Sequence, residues 1–219
     1  MTSAPLSQNA EDYLKEIYKL ESESGRATTT ALAERVGVSA PSVTAMLKKL
    51  SGLGLVEHER YRGVRLTGAG TKAAVEVIRH HRLLEQYLAE SLGMPIDEVH
   101  DEADRLEHAL SEELEARIDE SLGFPTHDPH GDPIPDAELN LRPTPLRRLD
   151  ELAPGERATI RRVPDADGEL LRYLAELALL PGETVALLDS APFGGPVTIE
   201  ARGAEHAISR ELAGKIGVA

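Results

Sequence analysis

The sequence predicts a mainly α protein with an N-terminal winged helix-turn-helix, a central helical domain and a small C-terminal SH3-like β-barrel. Helical apolar periodicity dominates up to residue 122, interrupted by one hairpin pattern near residue 61. A proline-rich loop follows at residues 123–145, and short alternating runs with Gly/Pro turns fill the remainder. These changes of pattern predict domain boundaries at residues 1–74, 75–145 and 146–219.

The composition excludes several classes of site. The 219 residues contain no cysteine, so disulfides, thiolate zinc sites and iron–sulfur clusters are excluded. No apolar run approaches the roughly 20 residues that span a bilayer. A basic segment followed by an apolar one is missing from the N-terminus, so we expect a cytoplasmic protein without a membrane partner.

The charge is unevenly distributed along the chain. The net charge of −14 argues against a simple nucleic-acid binder, yet residues 26–82 hold ten Lys/Arg against four Glu. Residues 85–138 hold seventeen Asp/Glu against two Arg. The basic part matches a DNA footprint, and the acidic part suits cation binding. Excess acid that only keeps a dimer soluble is the alternative.

The first helix is predicted at residues 10–21, where Tyr13, Leu14 and Ile17 set a helical apolar stripe. Asn9 is the predicted N-cap. Asp12 would then be the third helical residue, where an acid supports the cap and the helix dipole. A structural role is therefore an alternative to a ligand role for Asp12.

Residues 28–50 fit a helix-turn-helix. A helix at 29–36 ends at Gly37, which permits the left-handed conformation of a tight turn. Ser39 can cap the second helix, and Pro41 fits its first turn. The predicted DNA-reading side chains lie at the start of these helices and on the outward face: Thr28, Ser39, Ala40, Pro41, Ser42, Thr44 and Lys48.

Residues 55–67 alternate around Tyr61-Arg62-Gly63, which indicates a β-hairpin, the wing of the motif. Arg60 and Arg62 lie at its tip and are predicted to contact DNA phosphates. A long helix is expected from Thr67-Gly68 to about residue 92. A second long helix, capped by Asp97, is predicted at residues 98–122.

Histidines and carboxylates in these two long helices have metal-ligand spacing. His81 and Glu85 are four residues apart, as are His100, Asp104 and His108, and Glu107 follows Asp104 by three. Residues three or four apart share a helix face. The pattern predicts two clusters of oxygen and imidazole ligands, although an acidic solvated face with stray histidines has the same spacing.

The C-terminal third predicts a small barrel. Short strands are expected at residues 146–152, 156–163, 184–188, 197–201 and 206–209, with a helix at 170–179. His127 and His130 lie in the preceding Pro/Gly loop, and we interpret them as turn residues, with a further metal site as the alternative. Asp165, Asp167 and Glu169 precede the helix, where they either cap it or bind a cation.

Three stretches carry a resemblance to a known family: residues 11–18 (EDYLKEIY), 81–85 (HRLLE) and above all 99–108 (VHDEADRLEH). With the helix-turn-helix, they make the chain resemble the diphtheria-toxin-repressor family of metal-dependent transcriptional regulators over nearly its full length. The resemblance implies a winged-helix domain, a helical metal-binding and dimerisation domain and an SH3-like (FeoA-like) domain. It also implies a homodimer that binds double-stranded operator DNA when metal is bound.

The resemblance also implies two metal sites. The primary site would contain Asp12, Asp104, Glu107 and His108. The ancillary site would contain His81, Glu85 and His100, completed by an acid of the SH3-like domain, for which Asp165, Asp167 and Glu169 are the candidates.

The ligand types predict the metal. The iron-sensing branch has a thioether and a thiol where this chain has Asp12 and Asp104, whereas manganese-sensing members have carboxylates. Carboxylate oxygens suit Mn²⁺, so we expect Mn²⁺ as the cofactor, with Fe²⁺ as the alternative and other divalent transition metals binding in vitro. Lys15 stands where compact two-metal members place a further carboxylate, which favours two separated sites.

Two other functions must be weighed against the same sequence features. A His/Glu/Asp cluster could be a hydrolytic metal centre, but the sequence offers no nucleophile or His-Glu-x-x-His spacing. A regulator that senses an organic ligand would need an apolar pocket, and a chain with two Phe and no Trp gives little sign of one. We therefore predict a repressor without a small organic substrate.

Overall fold

The computed structural model describes residues 6–59, 63–142, 144–165 and 167–219. The chain divides into two compact units. The first contains residues up to 80 together with 107–110 and 135–141, and the second contains 81–106, 111–134 and 142–219. None of the described helices is long and apolar enough to cross a membrane.

The first unit confirms the predicted winged helix-turn-helix. Its elements are α1 (Gln8–Ser24), α2 (Thr29–Val36), α3 (Ala40–Gly52), the antiparallel strands β1 (Val56–Glu59) and β2 (Gly63–Leu66), and the first half of α4 (Gly68–Leu92). One apolar core joins α1, α2, α3, the hairpin and the start of α4, with Leu14, Ile17, Leu32 and Leu50 fully buried.

The turn between α2 and α3 forms as the residue types predict. Gly37 adopts the left-handed conformation with φ of 69°, which a residue with a Cβ adopts at a cost. Ser39 caps α3 through a hydrogen bond that its Oγ accepts from the amide of Ser42 at 3.4 Å. Pro41 lies in the first turn of α3, where its missing amide hydrogen costs nothing.

Helix α1 begins earlier than the apolar pattern predicts. Ser7 is the N-cap residue, so the prediction of Asn9 as the cap is wrong, and Asn9 is the second helical residue. Asp12 is consequently the fifth residue of the helix, beyond the amides that an N-terminal acid supports. The capping alternative for Asp12 is therefore removed.

The second unit contains the rest of α4, with α5 (Val99–Leu106) and α6 (Glu112–Ser121). The single helix predicted at 98–122 is wrong, because a 3₁₀ turn at Glu107–Ala109 interrupts it. Ser111 starts α6 anew by accepting a hydrogen bond from the amide of Leu114 at 3.3 Å. Asp97 is not a cap, and its carboxylate accepts a hydrogen bond from Arg172 at 2.8 Å.

The C-terminal part of the second unit is an SH3-like antiparallel sheet. Its strands are β3 (Arg147–Arg148), β4 (Arg157–Arg162), β5 (Thr184–Ser190), β6 (Val197–Ala201), β7 (Ala204–Ile208) and β8 (Gly217–Val218), in the order β3-β8-β4-β5-β6-β7. Helices α7 (Gly168–Glu176) and α8 (Arg210–Ala213) accompany it. The described sheet is open between β3 and β7, so the predicted barrel does not close.

Candidate metal centres and nucleic-acid interface

Three ligand side chains meet where the 3₁₀ turn of the first unit faces α1. His108 Nε2 lies 2.9 Å from Asp12 Oδ1 and 3.4 Å from Glu107 Oε1. Glu107 is fully buried, whereas the Asp12 side chain is 44% exposed, so the cluster is open on one side. We call Asp12, Glu107 and His108 the helix-1 group. The 3₁₀ turn creates it, because a continuous helix would carry Glu107 and His108 in other directions.

Glu11 orients the imidazole of His108. Its Oε2 lies 2.6 Å from His108 Nδ1, so Nδ1 donates a hydrogen and Nε2 is directed at Asp12 and Glu107. Metal-binding histidines generally donate their second ring nitrogen to a carboxylate or carbonyl in this way. Burial raises the pKa of Asp12, against the lowering influence of His108 and Lys15.

Two cationic or polar groups hold Glu107 from other directions. Lys15 Nζ donates to Glu107 Oε1 at 2.6 Å, and both side chains are buried. His80 Nδ1 lies 3.1 Å from the carbonyl oxygen of Glu107 and donates to it. The 3₁₀ turn is therefore held to α1 by Lys15 and to the middle of α4 by His80.

A second cluster lies in the second unit, on the facing sides of α4 and α5. His81 Nε2 and His100 Nδ1 each lie 3.0 Å from Glu85 Oε1. His81 Nδ1 lies 3.2 Å from Asp104 Oδ1. The predicted four-residue spacing thus puts His81 and Glu85 on one face of α4.

A tight turn at residues 128–132 adds two more ligand types to this cluster. Asp128 Oδ1 accepts hydrogen bonds from the amides of His130 at 2.9 Å and Asp132 at 3.0 Å. Gly131 has φ of 92°, and a Cβ there would lie 1.7 Å from the carbonyl oxygen of Arg161. The glycine lets the turn press against β4, which sets the positions of Asp128 and His130.

His130 is fully buried and carries an unsatisfied nitrogen. Its Nε2 donates to the carbonyl of Ile96 at 3.0 Å, and its Nδ1 lies 3.8 Å from Glu85 Oε2 and 4.0 Å from Asp128 Oδ1. Within the described residues, His130 Nδ1, Glu85 Oε2 and Asp128 Oδ2 are buried atoms without a hydrogen-bond partner. Buried polar atoms are rarely left unsatisfied, so such a trio indicates a place for a cation.

Two groups of this trio, Asp128 and His130, have raised pKa values, whereas the pKa of Glu85 is lowered. Burial raises the pKa of Asp128 to about 8, and the charge of Glu85 adds to the effect. Burial opposes the charge of His130, but Glu85 and Asp128 raise its pKa to about 9. Burial also opposes ionisation of Glu85, but His100, His130 and His81 hold its pKa well below the ordinary range.

Asp165 is the acid of the SH3-like part that reaches this cluster, since its carboxylate, Glu85 and His100 offer ligand atoms within 4.8 Å of one another. Asp167 is the N-cap of α7 and accepts from the amides of Glu169 and Leu170. Glu169 is exposed. We define the Glu85 group as the residues gathered around this carboxylate: His81, Glu85, His100, Asp104, Asp128, His130 and Asp165.

A cleft of about 630 Å³ lies beside the Glu85 group, and His100 and Asp165 contribute to its wall. Seven of its twelve lining residues are Asp or Glu. Such a wall attracts cations and repels anions. The cleft is therefore suited to bring a divalent cation to the group.

Both groups fit a divalent metal ion, and they divide the predicted ligands differently from the sequence-based sets. Asp12, Glu107 and His108 offer ligand atoms within 4.8 Å of one another. So do His81, His100 and Asp104, and Asp104 therefore lies with the predicted ancillary ligands and not in the helix-1 group. Glu85, Asp128 and His130 form a further set of this kind.

The ligand sets drawn from the sequence omit Glu11, Asp128 and His130, and they do not anticipate the contact of Lys15 with Glu107. His130 is interpreted from sequence as a turn residue; it is one, and its ring also faces Glu85. The Asp-Pro-His-Gly-Asp pattern of the turn, set in a loop beside a ligand-rich helix pair, is the signal that marked it. Nothing in the local sequence predicts the contacts of Glu11 and Lys15, because their partners are more than ninety residues away.

Most of the predicted DNA-reading residues lie at the start of α3 and on its outer face. Six of them are exposed: Ser39, Ala40, Pro41, Ser42, Thr44 and Lys48. Thr28 caps α2 by accepting a hydrogen bond from the amide of Ala31 at 3.2 Å. Arg60 and Arg62, which are predicted at the wing tip, lie outside the described residues. Helix α3 thus offers small polar side chains and one lysine to a groove.

The chain matches three family models in succession. They are the iron-dependent repressor N-terminal DNA-binding domain at residues 5–64, the iron-dependent repressor metal-binding and dimerisation domain at 67–136, and the FeoA domain at 147–219. It is 35% identical over 213 residues to the iron-dependent repressor IdeR of Mycobacterium tuberculosis, with 92% of each chain covered. It is 35% identical over 191 residues to the diphtheria toxin repressor of Corynebacterium efficiens, covering 85% of this chain and 79% of that protein.

A solved structure described as a manganese-dependent transcriptional repressor in complex with manganese is also similar. It superimposes with a TM-score of 0.87 at 41% sequence identity, covering 95% of this chain and 98% of that one. Its agreement over nearly the whole chain matches the fold described above. The chain belongs to the diphtheria-toxin-repressor family of metal-dependent transcriptional repressors, whose members are DNA-binding regulators and not enzymes.

Proposed function

We propose that this chain is a homodimeric repressor that binds double-stranded operator DNA when Mn²⁺ occupies the helix-1 group and the Glu85 group. In this proposal residues 1–74 read the operator, residues 75–145 bind metal and dimerise, and residues 146–219 supply Asp165. Regulation of manganese uptake is the process such a repressor serves.

The donor set of the helix-1 group carries the proposal of manganese. Its three side chains present two carboxylates and one imidazole, and the chain has no cysteine that could add a thiolate. Hard oxygen donors suit Mn²⁺, whereas sulfur donors favour later metals. In addition, the similar solved structure is described as manganese-dependent.

The helix-1 group can also couple metal binding to DNA binding. Asp12 lies on α1, which packs in one core with the two helices of the DNA-reading motif, while Glu107 and His108 lie on the 3₁₀ turn. A bound metal ion supplies the positive charge that holds these carboxylates and the imidazole together. The ligands then fix α1 against the turn, and by linkage operator DNA tightens metal binding by the same factor.

Iron is the second candidate metal. The similar protein of Mycobacterium tuberculosis is named an iron-dependent repressor, and 92% of this chain aligns with it. Imidazole and carboxylate ligands also bind Fe²⁺. Mn²⁺ and Fe²⁺ are therefore distinguished by measuring which of them induces DNA binding.

The test is a DNA-binding titration of metal-free protein under anaerobic conditions. The DNA is a duplex selected from random sequences at saturating Mn²⁺, and Mn²⁺, Fe²⁺, Zn²⁺ and Co²⁺ are added separately. We expect Mn²⁺ to induce binding of the duplex, and His108→Ala should abolish the response. His127→Ala, which removes an exposed loop histidine, is the control. Binding that is indifferent to chelation, or that responds to Fe²⁺ alone, would contradict the proposal.

A further inference from the structure

Lys15 places its ammonium group against Glu107 of the helix-1 group. The residue is only 6% exposed, although lysine is rarely buried. Its Nζ lies 2.6 Å from Glu107 Oε1, and the Glu107 side chain is completely buried. One of the three candidate ligands therefore already has a cation beside it.

The same oxygen of Glu107 serves the lysine and the metal group. Oε1 accepts from Lys15 and also lies 3.4 Å from His108 Nε2, the nitrogen directed at Asp12. An ammonium ion and a divalent cation that share one carboxylate oxygen repel each other, most strongly where water is excluded. Glu107 therefore cannot give its full charge to a metal ion while Lys15 keeps this contact.

We propose that Lys15 is a built-in counter-ion of the helix-1 group, which lowers its affinity for a divalent cation and so sets the metal concentration at which the repressor responds. The inference rests on the proposed function, because it concerns loading of the same group. Before loading, Lys15 neutralises Glu107 and keeps the 3₁₀ turn beside α1. On loading, Glu107 turns to the cation, and Lys15 gives up the contact.

A purely structural role for Lys15 makes the opposite prediction. If the lysine only holds Glu107 in place, its loss leaves a misplaced ligand and weakens metal binding. If it competes with the metal, its loss leaves a buried carboxylate without its counter-ion, which is costly until a cation arrives. The sign of the change in metal affinity therefore separates the two roles.

The experiment measures Mn²⁺ affinity of the full-length, chelator-treated protein by titration calorimetry. Lys15→Met and Lys15→Gln keep most of the length of the side chain and remove its charge, and Lys15→Arg keeps the charge. We expect at least tenfold tighter binding at the helix-1 group for the two neutral variants and little change for Lys15→Arg. Lys19→Met is the matched control, because Lys19 lies one turn later and pairs at 3.6 Å with Glu16 on the surface.

A second measurement uses the unmodified chain and does not depend on variants that fold. Acetic anhydride labels exposed amines, and mass spectrometry compares the labelling rates of Lys15 and Lys19 with and without saturating Mn²⁺. We expect Mn²⁺ to accelerate labelling of Lys15 several-fold relative to Lys19. Unchanged labelling, or equal or weaker Mn²⁺ affinity in both neutral variants, would overturn the proposal. If His108→Ala leaves the Mn²⁺ stoichiometry intact, the assignment of the helix-1 group itself fails, which is a separate result.

Discussion

The helix-1 group and the Glu85 group are built from the same ligand types but balance their charge differently. In the helix-1 group a lysine from α1 contacts the buried carboxylate of Glu107. In the Glu85 group Asp128 and His130 carry protons at neutral pH, with pKa values of about 8 and about 9. A buried cluster of acids needs positive charge even without metal, and a protein can take it from a side chain or from solvent protons.

The difference has a consequence for how each group loads. A metal ion can displace Lys15 from Glu107 only if the lysine side chain moves away. Lys15 therefore competes with the metal ion to the same extent at every pH at which it stays charged. Protons are released on metal binding, so loading of the Glu85 group should strengthen as the pH rises. The two groups thus respond to different chemical variables.

The largest effect is expected from Glu85→Gln, because Glu85 is the charge that holds the second group together. Its Oε1 contacts His81 and His100, and its Oε2 faces His130. Removal of this buried partner leaves the protonated His130 uncompensated, at a cost of about 3–5 kcal/mol. We expect a matching loss of unfolding free energy in urea for the metal-free protein and one fewer Mn²⁺ bound. Glu90→Gln, on an exposed turn of the same helix, should change neither quantity.

The next effect is confined to the helix-1 group. Glu11→Gln replaces the carboxylate that accepts from His108 Nδ1, at 2.6 Å, by an amide. Loss of such a partner typically reduces metal affinity by about 10–100-fold. Calorimetry should show this loss for one Mn²⁺ and an unchanged affinity for the other. If both affinities fell together, the two groups could not be treated as separate.

The pH dependence of stability follows from the raised pKa values in the Glu85 group. A native pKa above the unfolded value stabilises the fold at low pH, and this stability is lost as the pH rises through the native value. For Asp128 the loss runs from about pH 4 to about 8, and for His130 from about 6.5 to about 9. The metal-free protein should therefore lose up to about 1.4 kcal/mol per pH unit for each proton, with both groups contributing between pH 7 and 8 and His130 alone between pH 8 and 9. A flat unfolding profile over this interval would show that these protons are absent.

The smallest effect is expected from Asp165→Asn, which is compared with Asp167→Asn in the same loop. Asp165 belongs to the Glu85 group, whereas Asp167 caps α7. Asp165→Asn should weaken Mn²⁺ binding by about tenfold or less, because one of several oxygen ligands loses its charge. Asp167→Asn should leave affinity and stability nearly unchanged, since Asn caps a helix as well as Asp does. Equal effects of the two substitutions would remove Asp165 from the group.

Local chemistry explains which features the sequence predicts. Gly37, Ser39 and Pro41 act on their own neighbours, so the helix-turn-helix follows from residue types. His81 and Glu85 are one turn apart on a helix, so their meeting is also local. For the same reason the predicted strands at residues 156–163 and 197–201 closely match β4 and β6.

The features that escape prediction depend on distant contacts. The periodicity of residues 98–122 continues without a break, yet contacts of Glu107 with Lys15 and His80 accompany a 3₁₀ turn there. The turn at Asp128 faces Glu85, more than forty residues earlier in the chain. Nothing in the local sequence encodes these partners, and they decide how the ligands are divided between the two groups.

We expect protons to balance the charge of the Glu85 group and a lysine to help balance the charge of the helix-1 group. The most direct test is the number of protons released per Mn²⁺ at pH 7.5, obtained by calorimetry in three buffers of different ionisation enthalpy. His108→Ala isolates the Glu85 group, and Glu85→Gln isolates the helix-1 group. We predict that the Glu85 group releases between one and two protons, from Asp128 and His130, and that the helix-1 group releases fewer. If the Glu85 group released no proton, or if both groups released equally many, the proposed difference in how their charge is balanced would be wrong.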